Sequence, residues 1–180
     1  GQVSAVAGPA APDGGLDGPS GVAVDAAGDV LIADTLHHRV VRIVAGEATP
    51  VAGLGYGDFS GDGGPATNAT LSWPAGVTVG PDGDVYVVDT YLGFIRRIGA
   101  DGVIVTVAGA VDPFGGGPLA QARLATPRAL VRAAPFTLFA GGASGTVQAI
   151  RTDGDRLETL VGRYPNTSAT ADLARFRRGN

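Results

Sequence analysis

The residues best equipped for chemistry lie in one short run, IADTLHHRVVRI, at 32–43. Asp34, His37 and His38 stand close together there. A carboxylate beside two imidazoles suits either an acid–base pair or a metal ligand set. The plainer reading is a turn, because a neutral imidazole is also a ready hydrogen-bond donor and acceptor. A second acidic stretch, GYGDFSGDGG at 55–64, carries Asp58 and Asp62. Hard oxygen ligands in a glycine-rich loop suit calcium, which makes these two a candidate calcium site and the one candidate cofactor. Their spacing does not match the helix–loop–helix calcium pattern, and the alternative is a pair of turn residues. Other catalytic signals are thin. Glu47 and Glu158 are the only glutamates, and both fall in or near outer-strand segments. Ser144, in ASGT, lacks the strand-to-helix setting of a nucleophile elbow. The run DPFGGGPLA at 112–120 lacks the Lys and Ser/Thr of a phosphate-binding loop.

The elements that must position these residues are announced by composition. Of 180 residues, 44% are hydrophobic and 17% charged, with 30 glycines and 12 prolines. That is a globular, loop-rich chain, and so many turns favour short strands over helices. No apolar run approaches the roughly 18 residues of a membrane-spanning helix, so no membrane span is expected. Cysteine is absent, which excludes disulfides and thiolate chemistry. Methionine is absent as well, and no basic-then-apolar leader is present. Gly1 is therefore expected to be internal to something longer. Every basic residue is arginine. With the abundant alanine, this hints at a high-GC bacterial genome, and the lack of cysteine fits an exported protein. The net charge of −4 hides a polarity. Residues 1–90 carry 11 acids and two bases, and residues 91–180 carry six acids and 11 bases. The acidic half counters the basic one, so a nucleic-acid partner is not expected.

Three segments repeat. They cover 16–53, 71–109 and 124–162, with Pro19, Pro74 and Pro127 at equivalent places, 55 and 53 residues apart. Each reads as four short strands. In the second, GVTVG is followed by the turn PDGD, then by VYVVD, FIRRI and VIVTVAG. The turn supplies the Gly and Asp of a tight hairpin, and the Val-, Ile- and Tyr-rich runs suit pleated sheets. Four short strands per unit describe the blades of an all-β propeller. Inner-strand residues Val22, Val24, Leu31, Ile32, Val77, Val79, Val85 and Val87 are expected to be buried.

The first unit, PSGVAVDAAGDVLIADTLHHRV, resembles the NHL repeat, as does the loop GDGGPATNATLSWPAGV at 61–77, in its bacterial form. The likeness is close in units one and two. It is poor in unit three, where Gly141 replaces Asp34 and Asp89, and Arg132 replaces Val24 and Val79. The resemblance implies a propeller, but its members include binding and scaffold modules and lyase-like enzymes, so fold alone does not set function.

The alignment also speaks to the histidines. His37 and His38 correspond to Leu92 and Gly93, and unit three has no histidine. They are dispensable to the unit, and His38 is read as a turn residue bonding within its blade. Asp34 and Asp89 end inner strands and are expected to accept turn amides. Loops on one rim would collect Tyr56, Phe59, Tyr91, His37, His38 and Phe114, the candidate ligand-binding residues. Phe59 and Phe114 could instead tuck under their own loops. Trp73 is expected to pack between blades.

Propellers close with about four to eight blades, so three leave uncovered apolar faces. Residues 2–8 read as a stray last strand, and 163–180 as a tail. Two copies forming a six-bladed ring would pair the acidic end with the basic end, setting Asp13 and Asp17 near Arg175, Arg177 and Arg178. The competing expectation is further blades of a longer chain. The expected role is a non-enzymatic extracellular or periplasmic binding or assembly module for a protein or glycan. The alternatives are a lactonase- or lyase-like propeller enzyme and a purely structural propeller.

Overall fold

The computed structural model describes residues 15–109, 124, 127–133, 136–141, 147–151 and 157–161. The expected stray strand at 2–8, the tail at 163–180, Phe114, Ser144 and the run at 112–120 lie outside these residues.

Among the described residues, twelve strands form three four-stranded antiparallel sheets, each a simple meander. The first holds β1 (Pro19–Val24), β2 (Val30–Asp34), β3 (Arg39–Val44) and β4 (Glu47–Ala52). The second holds β5 (Pro74–Val79), β6 (Val85–Asp89), β7 (Phe94–Ile98) and β8 (Ile104–Ala108). The third holds β9 (Pro127–Ala133), β10 (Phe136–Gly141), β11 (Val147–Arg151) and β12 (Leu157–Val161). These are the blades expected from the repeat. A 3₁₀ turn, Ala66–Asn68, interrupts the connection between the first two. Among the described residues, no helix is long and apolar enough to cross a membrane.

Local chemistry sets the hairpins. In the first blade Asp25 Oδ1 accepts the amides of Ala27 and Asp29, at 2.9 and 3.0 Å. An aspartate bonding its own turn in this way fixes the bend between β1 and β2. In the second, the Gly80 amide reaches the Asp84 carbonyl at 2.8 Å, closing the PDGD turn.

The main core lies between the first two blades. Leu31, Ala33, Val40 and Ala52 of one pack with Val77, Val85, Val87, Ile98 and Ile104 of the other. A second cluster, Tyr86, Ile95, Ala108 and Leu124, faces the third blade, with Leu130 against it. One expectation fails here. Val22 and Val24 are 68% and 63% exposed, whereas their equivalent Val77 is 4% exposed. The strand period of two explains the contrast. Gly21 and Ala23 look toward the second blade, so Val22 and Val24 look the other way. Among the described residues no blade covers that face. Val79 is half-buried, and Leu31, Ile32, Val85 and Val87 are buried as expected.

Candidate functional site

The registers place the candidate residues at one end of the sheets. Pro19 pairs with Asp34, Pro74 with Asp89, and Val40 with Ala52. The segment leading into each blade, the turn between its second and third strands, and the start of the segment leaving it therefore share a rim.

Asp34 and Asp89 anchor that rim, and both are fully buried. Asp34 Oδ1 accepts the Asp17 amide at 2.7 Å. Asp89 accepts the equivalent amide, that of Ser72, on both oxygens at 3.0 and 3.1 Å. The amides come from the lead-in to the same blade, 17 residues upstream, and tie the start of the first strand to the end of the second. The two carboxylates differ in company. Asp34 is also met by Arg39 Nε at 2.8 Å and His37 Nδ1 at 2.9 Å. At those positions the second blade has Phe94 and Leu92. Burial accordingly pushes the Asp89 carboxyl up to about 7, against the opposing pull of the Ser72 amide, the Arg96 charge and the Leu92 amide.

The histidines take separate roles. His37 reaches back to Asp34. His38 sits in the left-handed region at φ 51°, and its equivalent, Gly93, does so at φ 73°. The turn demands that conformation; glycine adopts it without strain, and histidine is among the side chains enriched there. The His38 bond does not stay within the blade, as expected from sequence. Its Nδ1 accepts the Trp73 amide at 3.3 Å, in the lead-in to the next blade. The imidazole and indole rings also meet edge-on, 6.1 Å between centroids. The two imidazoles thus diverge to different partners. Among the described residues no group of three His, Asp or Glu side chains is arranged to hold a metal.

The aromatic residues divide. Tyr56 and Tyr91 stand on the rim, 56% and 76% exposed. Trp73, expected between blades, is 48% exposed and held at φ 58°, a conformation rare for a bulky residue. The Thr90 amide donates to the Trp73 carbonyl and the Tyr91 amide to the Ser72 carbonyl, at 3.3 and 3.2 Å. These bonds bring Trp73 and Tyr91 into one patch. The sequence signal for Trp73 was its place next to Pro74, in the segment that links two rims. Phe59 turns inward instead. It packs edge-on against Phe94 at 4.9 Å, with the Arg96 guanidinium 4.9 Å above its ring.

The acidic loop has a structural occupant. Asp62 Oδ1 accepts Arg96 Nη2 at 2.6 Å and Nε at 3.1 Å, and Oδ2 accepts the Thr106 amide at 3.0 Å. Arg96 is fully buried and also donates to the carbonyls of Ser60 and Thr70. Asp58 accepts the amide of Phe59, at 2.8 Å. Glu47 is exposed on β4.

Comparison with known proteins agrees with this architecture. The NHL repeat model matches residues 16–43, and the teneurin NHL domain model matches 43–126. Teneurin-4 of Mus musculus is 36% identical over 106 residues, which is 51% of this chain and 4% of that protein. A Bacteroides thetaiotaomicron protein of unknown function superimposes with a TM-score of 0.66 at 23% identity, covering 81% of this chain and 37% of its own. A gluconolactonase from Xanthomonas campestris does so at 0.61 and 17% identity, covering 82% and 48%. The chain thus spans a small fraction of its curated relative and less than half of each solved structure.

Proposed function

For a chain built, as this one is, of NHL-repeat propeller blades, we propose a non-enzymatic binding role, exercised outside the cytoplasm through the aromatic rim. The observation that carries this reading is the trio Tyr56, Trp73 and Tyr91. All three are exposed on the rim, and Trp73 is pinned through its backbone in a left-handed conformation. A strained, exposed indole held by its neighbours is a feature the fold itself does not need. Flat, amphipathic rings on rigid turns bind protein or sugar surfaces at low entropic cost. The polar groups nearby are already engaged: Asp34 and His37 with each other, and His38 with the Trp73 amide. These bonds position the rim. Asp62 serves Arg96, so calcium is not assigned to it, and a calorimetric titration with calcium should show no binding.

Trp73 is the single tryptophan, so its emission reports on the rim directly. Titration with a panel of oligosaccharides and of extracellular protein domains should find a ligand that shifts this emission, and Tyr91→Ala should weaken the response at least tenfold. Emission unaffected by ligands that bind elsewhere on the chain would reject the rim. The enzymatic alternative is prompted by the gluconolactonase neighbour. A pH-stat assay on gluconolactone decides it, with hydrolysis expected at the buffer rate.

A further inference from the structure

The exposed apolar side chains of the rim form one strip. Leu36, Leu54, Tyr56, Trp73 and Tyr91 are each between 44% and 76% exposed. Local contacts set their order. Leu36 lies over Gly18, where an added Cβ would stand 2.8 Å from Leu36 Cγ, and its amide donates to the Asp17 carbonyl at 3.1 Å. The chain leaving the first blade then runs along the turn that carries the histidines. Gly53 packs on the His38 carbonyl, and a Cβ on Gly55 would stand 3.8 Å from the His37 carbonyl oxygen. Leu54 and Tyr56 ride on this run, which is pinned where the Leu54 amide donates to the Ala69 carbonyl at 3.0 Å. A Cβ on Gly57 would stand 3.1 Å from His38 Nδ1 and 3.2 Å from Ser72 Oγ, so the run ends beside Trp73. The Tyr91 amide on the Ser72 carbonyl adds the last ring. The strip therefore crosses from the first blade to the second.

The polar atoms that border it are mostly acceptors. Asp17 adjoins Gly18 beneath Leu36, Asp58 follows Gly57, and both are exposed. Asp34 Oδ2 accepts from His37 Nδ1, so in the neutral ring Nε2 is left as an acceptor, on a side chain 34% exposed. The donors at this end are spent inside the fold. Arg39 donates to Asp34 and to the Gly15 carbonyl. Thr35 donates to the Pro74 carbonyl and Thr90 to the Pro127 carbonyl. Arg96 is fully buried. Arg128 is exposed, but it follows Pro127 on the third blade, past Tyr91. The acidic character thus belongs to the first blade and the loop that leaves it.

Resting on the binding role proposed for this rim, we infer its partner class: a polypeptide segment in which an arginine or lysine stands beside leucine-like or aromatic side chains. The cation meets the Asp17 and Asp58 carboxylates and the faces of the exposed rings. The apolar neighbours lie on Leu36, Leu54 and Trp73, a patch that costs free energy to leave in water. A glycan suits the strip less. Sugars stack on flat rings and need donors as well as acceptors for their hydroxyls. Apart from the tyrosine hydroxyls, the strip offers few donors, and Leu36 and Leu54 are not flat. Anionic glycans and nucleic acids meet like charge at Asp17 and Asp58.

The test selects a display library of linear peptides, made without tryptophan, on the 180-residue chain. Trp73, the single tryptophan, then reports alone on binding at the rim. Enriched peptides should carry arginine or lysine next to leucine or phenylalanine and should shift the Trp73 emission. Replacing the arginine by citrulline, its neutral isostere, should weaken binding by about tenfold. High salt should weaken the arginine peptide and spare the citrulline one. With Asp17→Asn and Asp58→Asn together, the two peptides should bind alike, and each change alone should narrow the gap part-way. Neither change disturbs a bond the fold uses, since Asp17 serves Asp34 through its amide and an asparagine at 58 can still accept the Phe59 amide. Peptides that shift the emission equally well with citrulline would overturn the inference and leave the rim reading intact. Maltohexaose or chitohexaose outcompeting every selected peptide at Trp73 would do the same. Peptides that bind without shifting the emission, or a selection that yields none, would overturn both.

Discussion

Asp34 and Asp89 occupy one structural position and differ in their charged neighbours. The first is paired with the Arg39 guanidinium and hydrogen-bonded to His37. The second is buried with its nearest cation, Arg96, committed to Asp62. An ordinary carboxyl at 3.8 in the unfolded chain rises to about 7 on folding. The native state therefore holds the extra proton between those values. The stability this group contributes is full below pH 4 and is lost as pH rises through 7. Asp89→Asn keeps an acceptor for the Ser72 amide and removes the buried charge. It should stabilise the protein at pH 8 by about 2–3 kcal/mol relative to its effect at pH 5, read from urea unfolding at the two pH values. An equal effect at both would contradict the assignment. Asp62→Ala makes the complementary case. It strips a fully buried guanidinium of its carboxylate and should cost about 3 kcal/mol, as loss of one partner of a buried pair does. Asp62→Asn keeps an acceptor for Arg96 but removes the charge, so it should recover only part of that loss. An Asp62→Ala loss below about 1 kcal/mol would argue against the ion pair.

At the level of elements, the blades are joined by a close main-chain approach as well as by the side chains packed between them. β1 and β5 approach so closely that position 21 admits only hydrogen, and one hydroxyl per junction completes the bond. Gly21→Ala should cost about 1–3 kcal/mol through overpacking. Thr35→Val, which removes the hydroxyl donated to the Pro74 carbonyl, should cost about 1 kcal/mol. Ala129→Gly should cost only the backbone entropy of a strand glycine, about 0.5–1 kcal/mol, because its methyl meets solvent. Thermal melts of the three rank them, and a Gly21→Ala loss no larger than that of Ala129→Gly would argue against so close an approach of Gly21 to the Ala75 carbonyl.

For the whole molecule, the informative comparison is between residues that share a place in the repeat but not in the array. Val22 and Val77 are such a pair. Val77→Ala should cost about 1–3 kcal/mol, since it opens a cavity between two blades. Val22→Ala in this chain should stay within about 0.5 kcal/mol, as surface changes do. Chemical denaturation of both gives the answer. A large loss at Val22 would mean that its face is already covered in solution.

The sequence by itself determined whatever repeats. The spacing of Pro19, Pro74 and Pro127 and the alternation within each unit were enough to read four-stranded blades, because strand period and turn chemistry are local. The turn role of His38 was legible too, from the glycine aligned with it. Only the tertiary structure decided which face each residue meets. Val22 reads like Val77, yet one is exposed and one is buried, because covering a blade depends on its neighbour and not on its own pattern. Trp73 on the rim, Phe59 beneath Arg96 and Asp62 on a buried guanidinium were equally hidden. Each depends on a contact made across 34 or more residues of chain, and no local rule of propensity encodes such a pairing.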